Sequence, residues 1–88
     1  MIDGKKLRAF REKRGVTQAQ LAKELGITKQ SITAKERGGN GPDAAEAYLN
    51  ACLKLSGRRE TVRLNIALDY PMGGMRTDLL PDLLEVIS

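Results

Sequence analysis

The stretch from residue 17 to residue 38 constrains the fold most strongly, because it describes two short helices joined by one tight turn. Thr17 and Thr28 each stand where a hydroxyl N-cap begins a helix. Gln20 follows Thr17 at the third position, as a capping box requires. Gly26 lies between the two helices, where a positive φ angle favours glycine. These start and stop signals predict two helices that meet at a steep angle.

The two helices are predicted over about 18–25 and 29–37. Their apolar residues recur at the spacing of a single helix face, which we expect to be buried. These residues are Leu21, Ala22, Leu25 and Ile32, and we expect Ile27 to enter the core from the turn between the helices. Ala22 is small, which allows the backbones of two crossing helices to come close. The opposite face is polar and basic, so we expect it to meet solvent or a ligand.

The charge of the chain is concentrated in the same half. Residues 1–38 hold ten Lys or Arg against four Asp or Glu, a net charge of +6. Residues 39–88 hold five against seven, a net charge of −2. This asymmetry favours a polyanionic partner, although solvated surface lysines and arginines are the plain alternative. We expect DNA rather than a membrane surface, because no helix has the wide apolar face that would lie in lipid.

Composition excludes several classes of function. The chain has 88 residues, no histidine and one cysteine, Cys52, which we expect to be buried. With one cysteine and no histidine, we expect no zinc finger or catalytic zinc site, and a Ser-His or Cys-His nucleophile pair has no base. We predict neither an enzyme nor a cofactor. No apolar stretch approaches the roughly 20 residues that span a bilayer, and no signal-peptide core is present. We expect a cytoplasmic protein.

Two further helices flank the central pair. The first is predicted over 4–14, with Asp3 as its N-cap and a stop at Gly15. The residues from Gly38 to Pro42 predict a flexible loop. The fourth helix follows with Asp43 as its expected N-cap, and its apolar residues recur at helical spacing. They are Ala45, Tyr48, Leu49, Cys52 and Leu53.

The periodicity changes after Gly57. Residues 61–70 alternate between apolar and mostly polar side chains, which predicts a half-buried β-strand. We expect its apolar residues to form a dimerisation element: Val62, Leu64, Ile66, Leu68 and Tyr70. A lone strand has no partner within the chain, so antiparallel pairing with a second copy is the economical solution. The alternatives are pairing with a different protein, or a helix. A final short helix, capped by Thr77 or Asp78, ends the chain.

These elements predict a mainly α fold, with a four- to five-helix domain followed by a strand that pairs across a homodimer and a short C-terminal helix. The boundaries we expect are 1–56 for the helical domain and 57–88 for the dimerisation arm.

Residues 5–55 resemble the Xre and phage repressor–Cro family of helix-turn-helix DNA-binding proteins. The matching residues are Leu7, Thr17, Gln18, Leu21, Ala22, Leu25, Gly26, Ile27, Thr28, Ile32, Glu36, Arg37 and Gly38. Lys35 departs from the family pattern, which usually has an apolar or aromatic residue there. A lysine indicates that this position points outward or that the neighbouring helix packs differently.

The resemblance implies which residues meet DNA. At the start of the second helix of the pair, the base-reading residues would be Lys29, Gln30, Thr33 and Ala34; a solvated helix start is the alternative. Phosphate contacts would come from Gln18, Thr28, Ser31, Lys35, Arg37, Gly38, Gly39 and Asn40. For Gln18, the alternative is a solvated residue in the first turn of its helix. For the Gly38–Asn40 loop, the alternative is a turn that ends the helix. Glu36 would be structural, because an acid facing DNA is repelled.

Three roles fit these features. The first is a homodimeric repressor that binds an inverted-repeat operator, typically its own. The second is an antitoxin, which binds a toxin through its C-terminal arm and represses the shared operon. The third is a regulator of a phage or mobile element, which the sequence does not separate from the first.

Overall fold

The computed structural model describes residues 1–64 and 79–87. Within them, five helices and one two-stranded sheet follow in the order β1 (Ile2–Asp3), α1 (Gly4–Lys13), α2 (Gln18–Leu25), α3 (Lys29–Arg37), β2 (Gly39–Asn40), α4 (Pro42–Leu55) and α5 (Leu80–Ile87). The mainly α fold expected from the sequence is confirmed.

The caps that the sequence predicted begin the first three helices. Asp3 accepts a hydrogen bond from the backbone N–H of Lys5. Thr17 and Gln20 form the expected capping box, since each side chain accepts from the other residue's backbone N–H. The hydroxyl of Thr28 caps α3 by accepting from the backbone N–H of Ser31. Gly26 ends α2 with a φ of 68° in the left-handed region, as expected for the turn between the helices.

The segment predicted as a flexible loop contains a strand instead. Residues Gly39–Asn40 pair antiparallel with Ile2–Asp3, and the backbone N–H of Gly4 donates to the carbonyl of Gly38 over 2.8 Å. Gly4 is buried so tightly that an added Cβ would lie 2.1 Å from the carbonyl oxygen of Lys35. The N-terminus therefore braces the C-terminal end of α3, an arrangement that depends on residues more than 30 positions apart.

The start of α4 also differs from the prediction. Asp43 is not the N-cap, because Gly41 occupies that position without a side-chain hydrogen bond and Pro42 is the first helical residue. Proline suits this position, since its fixed φ is helical and its missing N–H would have no partner in the helix. Asp43 lies in the first turn, where a carboxylate still favours the positive end of the helix dipole.

One hydrophobic core joins the helices and the described parts of the C-terminal segment. Its fully buried members include Leu7, Leu21, Ile32, Tyr48, Leu49, Leu53, Val62, Leu79 and Leu83. Residues on both sides of the predicted boundary at 56 thus share one core; the division into two domains stays a prediction. Among the described residues, no helix is long and apolar enough to cross a membrane.

The expected strand over 61–70 is described only in its first four residues. These form no strand within the chain, but Val62 and Leu64 are buried while Thr61 and Arg63 are exposed, which is the alternation of an extended segment. Residues Ile66, Leu68 and Tyr70 lie outside the described residues, as do the candidate caps Thr77 and Asp78. The C-terminal helix is confirmed as α5.

An ion-pair cluster attaches α5 to α1. The two carboxylate oxygens of Asp82 lie 2.7 Å from Lys13 Nζ and 2.7 Å from Arg14 Nη2. Burial alone would raise the pKa of Asp82, but the hydrogen bonds from Lys13 and Arg14 lower it below its ordinary value. Arg14 also lies over the ring of Phe10, at 3.8 Å from the centroid.

Candidate DNA interface

The two sides of α3 have opposite environments. Ile32 and Glu36 are buried against α1, α2 and α4, at 0% and 6% exposure. The side chains of Lys29, Gln30, Ala34 and Arg37 are exposed, and Thr33 is half-buried. All four residues predicted to read bases therefore lie on the surface of one helix, clear of the core.

An open groove of about 530 Å³ runs along this surface. It is lined by five residues that the sequence predicted as DNA contacts: Gln30, Thr33, Ala34, Arg37 and Gly38. Their side chains supply an amide, a hydroxyl, a methyl group and a guanidinium. These are groups that recognise base edges, the thymine methyl and phosphate.

Lys29 lies on the other flank of α3. Together with Thr33 it borders a second open groove of about 630 Å³, whose remaining lining comes from α1, the turn after it and the start of α2. Thr33 therefore stands on the ridge between the two grooves. Its hydroxyl donates to the carbonyl of Lys29 over 3.2 Å, which anchors the side chain to its own helix.

All four acidic side chains of the first 38 residues have partners within the protein. Glu12, Glu24 and Glu36 each form an ion pair, and Asp3 caps α1. By contrast, six cations form no ion pair with any carboxylate of the described residues: Lys5, Lys6, Lys23, Lys29, Lys35 and Arg37. The net positive charge of this half is thus left available for an anion.

Behind the surface, Glu36 is the centre of a buried polar network. Its carboxylate accepts from Arg11 Nε over 2.8 Å and Nη2 over 3.3 Å, from Gln18 Nε2 over 2.9 Å, and from the Tyr48 hydroxyl. Arg11 Nη1 in turn donates to the carbonyl of Val16 over 2.8 Å. The network therefore ties α1, α2, α3 and α4 together at one point.

The ionised form of Glu36 is favoured in this network. Burial alone would raise the pKa of Glu36, but the hydrogen bonds from Arg11, Tyr48 and Gln18 lower it below its ordinary value. Burial and the neighbouring carboxylate raise the pKa of Tyr48, which stays protonated and donates. Burial also raises the pKa of the Cys52 thiol, to about 12. The cysteine is therefore an unreactive core residue, as expected.

A family model described as helix-turn-helix matches residues 7–49, which hold most of α1, all of α2 and α3, and the first part of α4. The match places residues 7–49 in the Xre/Cro-type helix-turn-helix DNA-binding family. A domain of this type makes the protein a sequence-specific DNA-binding transcriptional regulator. No curated protein and no solved structure matches the chain.

Within this Xre/Cro-type domain, Gln18 has a structural contact that the sequence did not indicate. One N–H of its side-chain amide is used by Glu36, and the side chain is half-buried. The predicted phosphate contact would therefore use the other N–H or the backbone at the start of α2. The roles of Arg11 and Tyr48 were missed altogether. Their only sequence signal was a charged and a phenolic side chain on otherwise apolar helix faces.

Among the predicted phosphate contacts, Asn40 is the one that the structure buries. Its side chain is 6% exposed, and Nδ2 donates to the carbonyls of Lys35, over 2.8 Å, and Gly38, over 3.4 Å. It thus closes the C-terminal end of α3 in place of a helical hydrogen bond. Gly38 and Gly39 stay exposed beside Arg37. The phosphate role of this loop remains a prediction for its backbone amides.

Three other predicted phosphate contacts lie around α3. Thr28 and Ser31 occupy its first turn, where their hydroxyl oxygens are 3.0 Å apart and Thr28 accepts from the backbone N–H of Ser31. Lys35 is half-buried on the far turn. The lysine that departs from the family pattern therefore lies at the edge of the surface rather than in the core, as the sequence indicated.

The described dimerisation candidates are engaged within the chain. The backbone N–H of Val62 donates to Asn50 Oδ1 over 2.7 Å, and its carbonyl accepts from Asn50 Nδ2 over 3.2 Å. The N–H of Leu64 donates to Glu46 Oε1 over 2.9 Å. These contacts hold the segment against α4, with the side chains of Val62 and Leu64 in the core.

Proposed function

We propose that the protein is a homodimeric repressor that binds an inverted-repeat operator, with α3 as the reading helix. The observation that carries the proposal is the outer surface of α3, which presents Lys29, Gln30, Thr33, Ala34 and Arg37 on one exposed helix. An α-helix fits the major groove of B-DNA, where every base pair offers a distinct pattern of donors and acceptors. Residues at the N-terminal end of such a helix reach the base edges.

The chemistry of each side chain assigns its role. Lys29 suits the O6 and N7 acceptors of guanine, and Gln30 suits the N6 and N7 of adenine. Ala34 offers a methyl group to the methyl of thymine, and Thr33 can donate or accept. Arg37 and the amides of Gly38 and Gly39 would bind phosphate at the far end of the helix. Gln18, Thr28, Ser31 and Lys35 would do so around it.

Dimerisation would place two reading helices about one turn of DNA apart, which requires an operator with two-fold symmetry. Since the backbone groups of Val62 and the N–H of Leu64 point at α4, a partner strand would pair along the opposite edge, which carries Arg63. Burial of Val62 and Leu64 in the core is compatible with such edge-to-edge pairing.

A dimer bound over a promoter excludes RNA polymerase from the same DNA. Repression, most simply of its own gene, therefore requires no activity other than tight binding, and it would take place with the chromosome in the cytoplasm. Lys29, Lys35 and Arg37 of α3 form no ion pair with a carboxylate of the described residues, which supports anion binding at this helix, so the affinity should fall steeply as salt rises.

Selection of bound DNA from a random pool tests the proposal directly. We expect an inverted repeat to be enriched. In titrations with that site, the double variant Lys29→Ala, Gln30→Ala should lose about 10- to 100-fold in affinity, from the removal of up to two base contacts. Lys23→Ala removes an exposed cation from the opposite side of α2 and is the matched control. Unchanged affinity in the double variant would contradict α3 as the reader.

The mass of the free protein by light scattering tests the dimer. We expect twice the mass of the 9.6 kDa chain. Arg63→Pro, which removes a backbone donor from the proposed pairing edge, should shift the protein toward monomer. A monomeric wild type, together with selected sites that lack two-fold symmetry, would refute the homodimer while leaving DNA binding intact.

A second candidate is an antitoxin, favoured by the apolar surface of α5. Leu84 is 51% exposed, and Leu80 and Ile87 on the same face are half-buried. Such a face suits a protein partner. Co-expression with a toxic product of the adjacent gene should rescue growth, and Leu84→Asp should abolish the rescue while preserving DNA binding. A failure to rescue, with no complex formed by the purified proteins, would exclude this role.

A further inference from the structure

The groove between α3 and α1 contains a cation to which the family resemblance gives no role. Arg8 and Glu12, one turn apart on α1, line this groove opposite Lys29 and Thr33 of α3. The turn after α1 and the start of α2 form the rest of its wall. The groove therefore lies directly beside two of the residues with which α3 would read bases.

The dimensions of DNA require that both flanks of α3 face a sugar-phosphate backbone. An α-helix with its side chains is about 10–12 Å across, and the major groove is about 12 Å wide. When α3 enters it, one DNA strand lies along the flank with Arg37 and Gly38. The other strand lies along the flank formed by α1 and the start of α2.

Three cations line that second flank, but only one is both exposed and without an assigned task. Arg11 is 7% exposed and committed to Glu36. Lys29 reads bases in the proposed function. The side chain of Arg8 is 60% exposed, and its length allows the guanidinium to reach out of the groove.

The present partner of Arg8 holds it weakly. Arg8 Nε lies 3.3 Å from Glu12 Oε2, and the Glu12 side chain is 53% exposed. Solvent screens a pair of this exposure, and an arginine four residues before the acid is the weaker of the two helical orientations. A phosphate can therefore replace the Glu12 carboxylate as the partner of the guanidinium, with a fork geometry that suits it.

We propose that Arg8 makes a further phosphate contact in the operator complex. In the free protein, Glu12 pairs with the Arg8 guanidinium and competes with the phosphate for it. This inference rests on DNA binding by α3. It assigns the second flank of the interface to α1, and it makes Glu12 a residue that reduces affinity rather than one that supports it.

Titrations of the full chain against the selected operator over a range of salt concentrations test this proposal. Arg8→Ala should weaken binding several-fold and lower the slope of log affinity against log salt by about one unit. Arg8→Lys should keep the slope. Glu12→Gln should tighten binding, and Arg8→Ala should cost more in the Glu12→Gln background than in the wild type. Lys23→Ala is the matched control for loss of an exposed charge.

The outcomes separate this inference from the proposed function. If Arg8→Ala leaves affinity and slope at wild-type values while Lys29→Ala, Gln30→Ala loses specific binding, α1 makes no contact and the function stands. If Glu12→Gln weakens binding as much as Arg8→Ala does, the pair is only structural. If the Lys29 and Gln30 double variant also binds normally, the assignment of α3 fails as well. Unfolding in urea identifies any variant that has lost its fold.

Discussion

Glu36 and Arg37 are neighbours on α3, yet they lie in opposite environments. Glu36 is 6% exposed and accepts hydrogen bonds from three side chains of three other helices. Arg37 is exposed and forms no ion pair with a described carboxylate. A rotation of about 100° around the helix axis separates the two residues, so Glu36 faces the core and Arg37 faces solvent.

In the proposed function, one helix serves both stability and binding. The inner face satisfies the only acid of α3 within the protein, so the surface proposed to meet DNA carries no negative charge of this helix. The cations of the outer face form no ion pair with a carboxylate of residues 1–64 and 79–87, so within this part of the chain they stay available to a phosphate. Variants on the two faces should therefore differ in kind: inner changes should lower stability, and outer changes should lower affinity.

The largest effect is expected from Glu36→Ala. It leaves the buried Arg11 guanidinium and the Tyr48 hydroxyl without their acceptor, and loss of one member of a buried pair costs about 3–5 kcal/mol. Arg37→Ala should change the free energy of unfolding by less than about 0.5 kcal/mol, as exposed surface changes do. Urea unfolding measures both. Equal destabilisation by the two variants would break the comparison.

Gly4→Ala should have the next largest effect, because its Cβ would meet backbone oxygens of Lys35 and Gly38 at 2.1 and 2.7 Å. Backbone cannot move aside as a side chain can, so we expect a loss of about 1–3 kcal/mol. Gly38→Ala is the control, since its φ of −119° is ordinary and its Cβ would contact Ala34 at 3.7 Å. A stable Gly4→Ala protein would show that the N-terminus does not brace α3.

Lowering the pH should reduce the stability that Glu36 contributes from the inner face of α3. The folded-state pKa of Glu36 is lowered from its ordinary value of 4.5, so its contribution is complete above about pH 4.5 and is lost as pH falls through the folded pKa. Glu36→Gln should therefore lose less stability than the wild type between pH 4.5 and pH 2.5. Asp82, whose pKa is also lowered, contributes equally to the pH dependence of both proteins. Parallel pH curves would contradict the role of Glu36.

A smaller loss of stability is expected from removal of the N-cap of α3. Thr28→Ala removes the acceptor for the N–H of Ser31 and should cost about 1 kcal/mol of stability. Thr17→Ala removes the equivalent cap from α2 at a similar cost. Thermal unfolding compares them, and DNA titration separates them. Only Thr28→Ala should also weaken binding beyond its effect on folding, because only α3 is the proposed reader.

Much of the helical architecture was predictable because its signals are local. Thr17, Thr28 and Asp3 cap residues two or three positions away, and Gly26 ends a helix by its own φ angle. The match of the whole 17–38 pattern to a helix-turn-helix depended on such signals, and it placed four base-reading candidates on one helix, three of them exposed and Thr33 half-buried. By contrast, Asp43 was a wrong N-cap, since Gly41 and Pro42 begin α4 without a side-chain cap.

The sequence by itself determined the caps of α1, α2 and α3, the turn after α2, the boundaries of α2 and α3, and the positive charge of the first half, because each depends on neighbouring residues or on composition. Only the tertiary structure decided that Gln18 supports Glu36, that Asn40 is buried behind the loop, and that the N-terminus pairs with Gly39–Asn40. These contacts join residues that are distant along the chain. Side-chain type alone does not say whether a polar group meets a ligand or another buried polar group, because both satisfy the same hydrogen bonds.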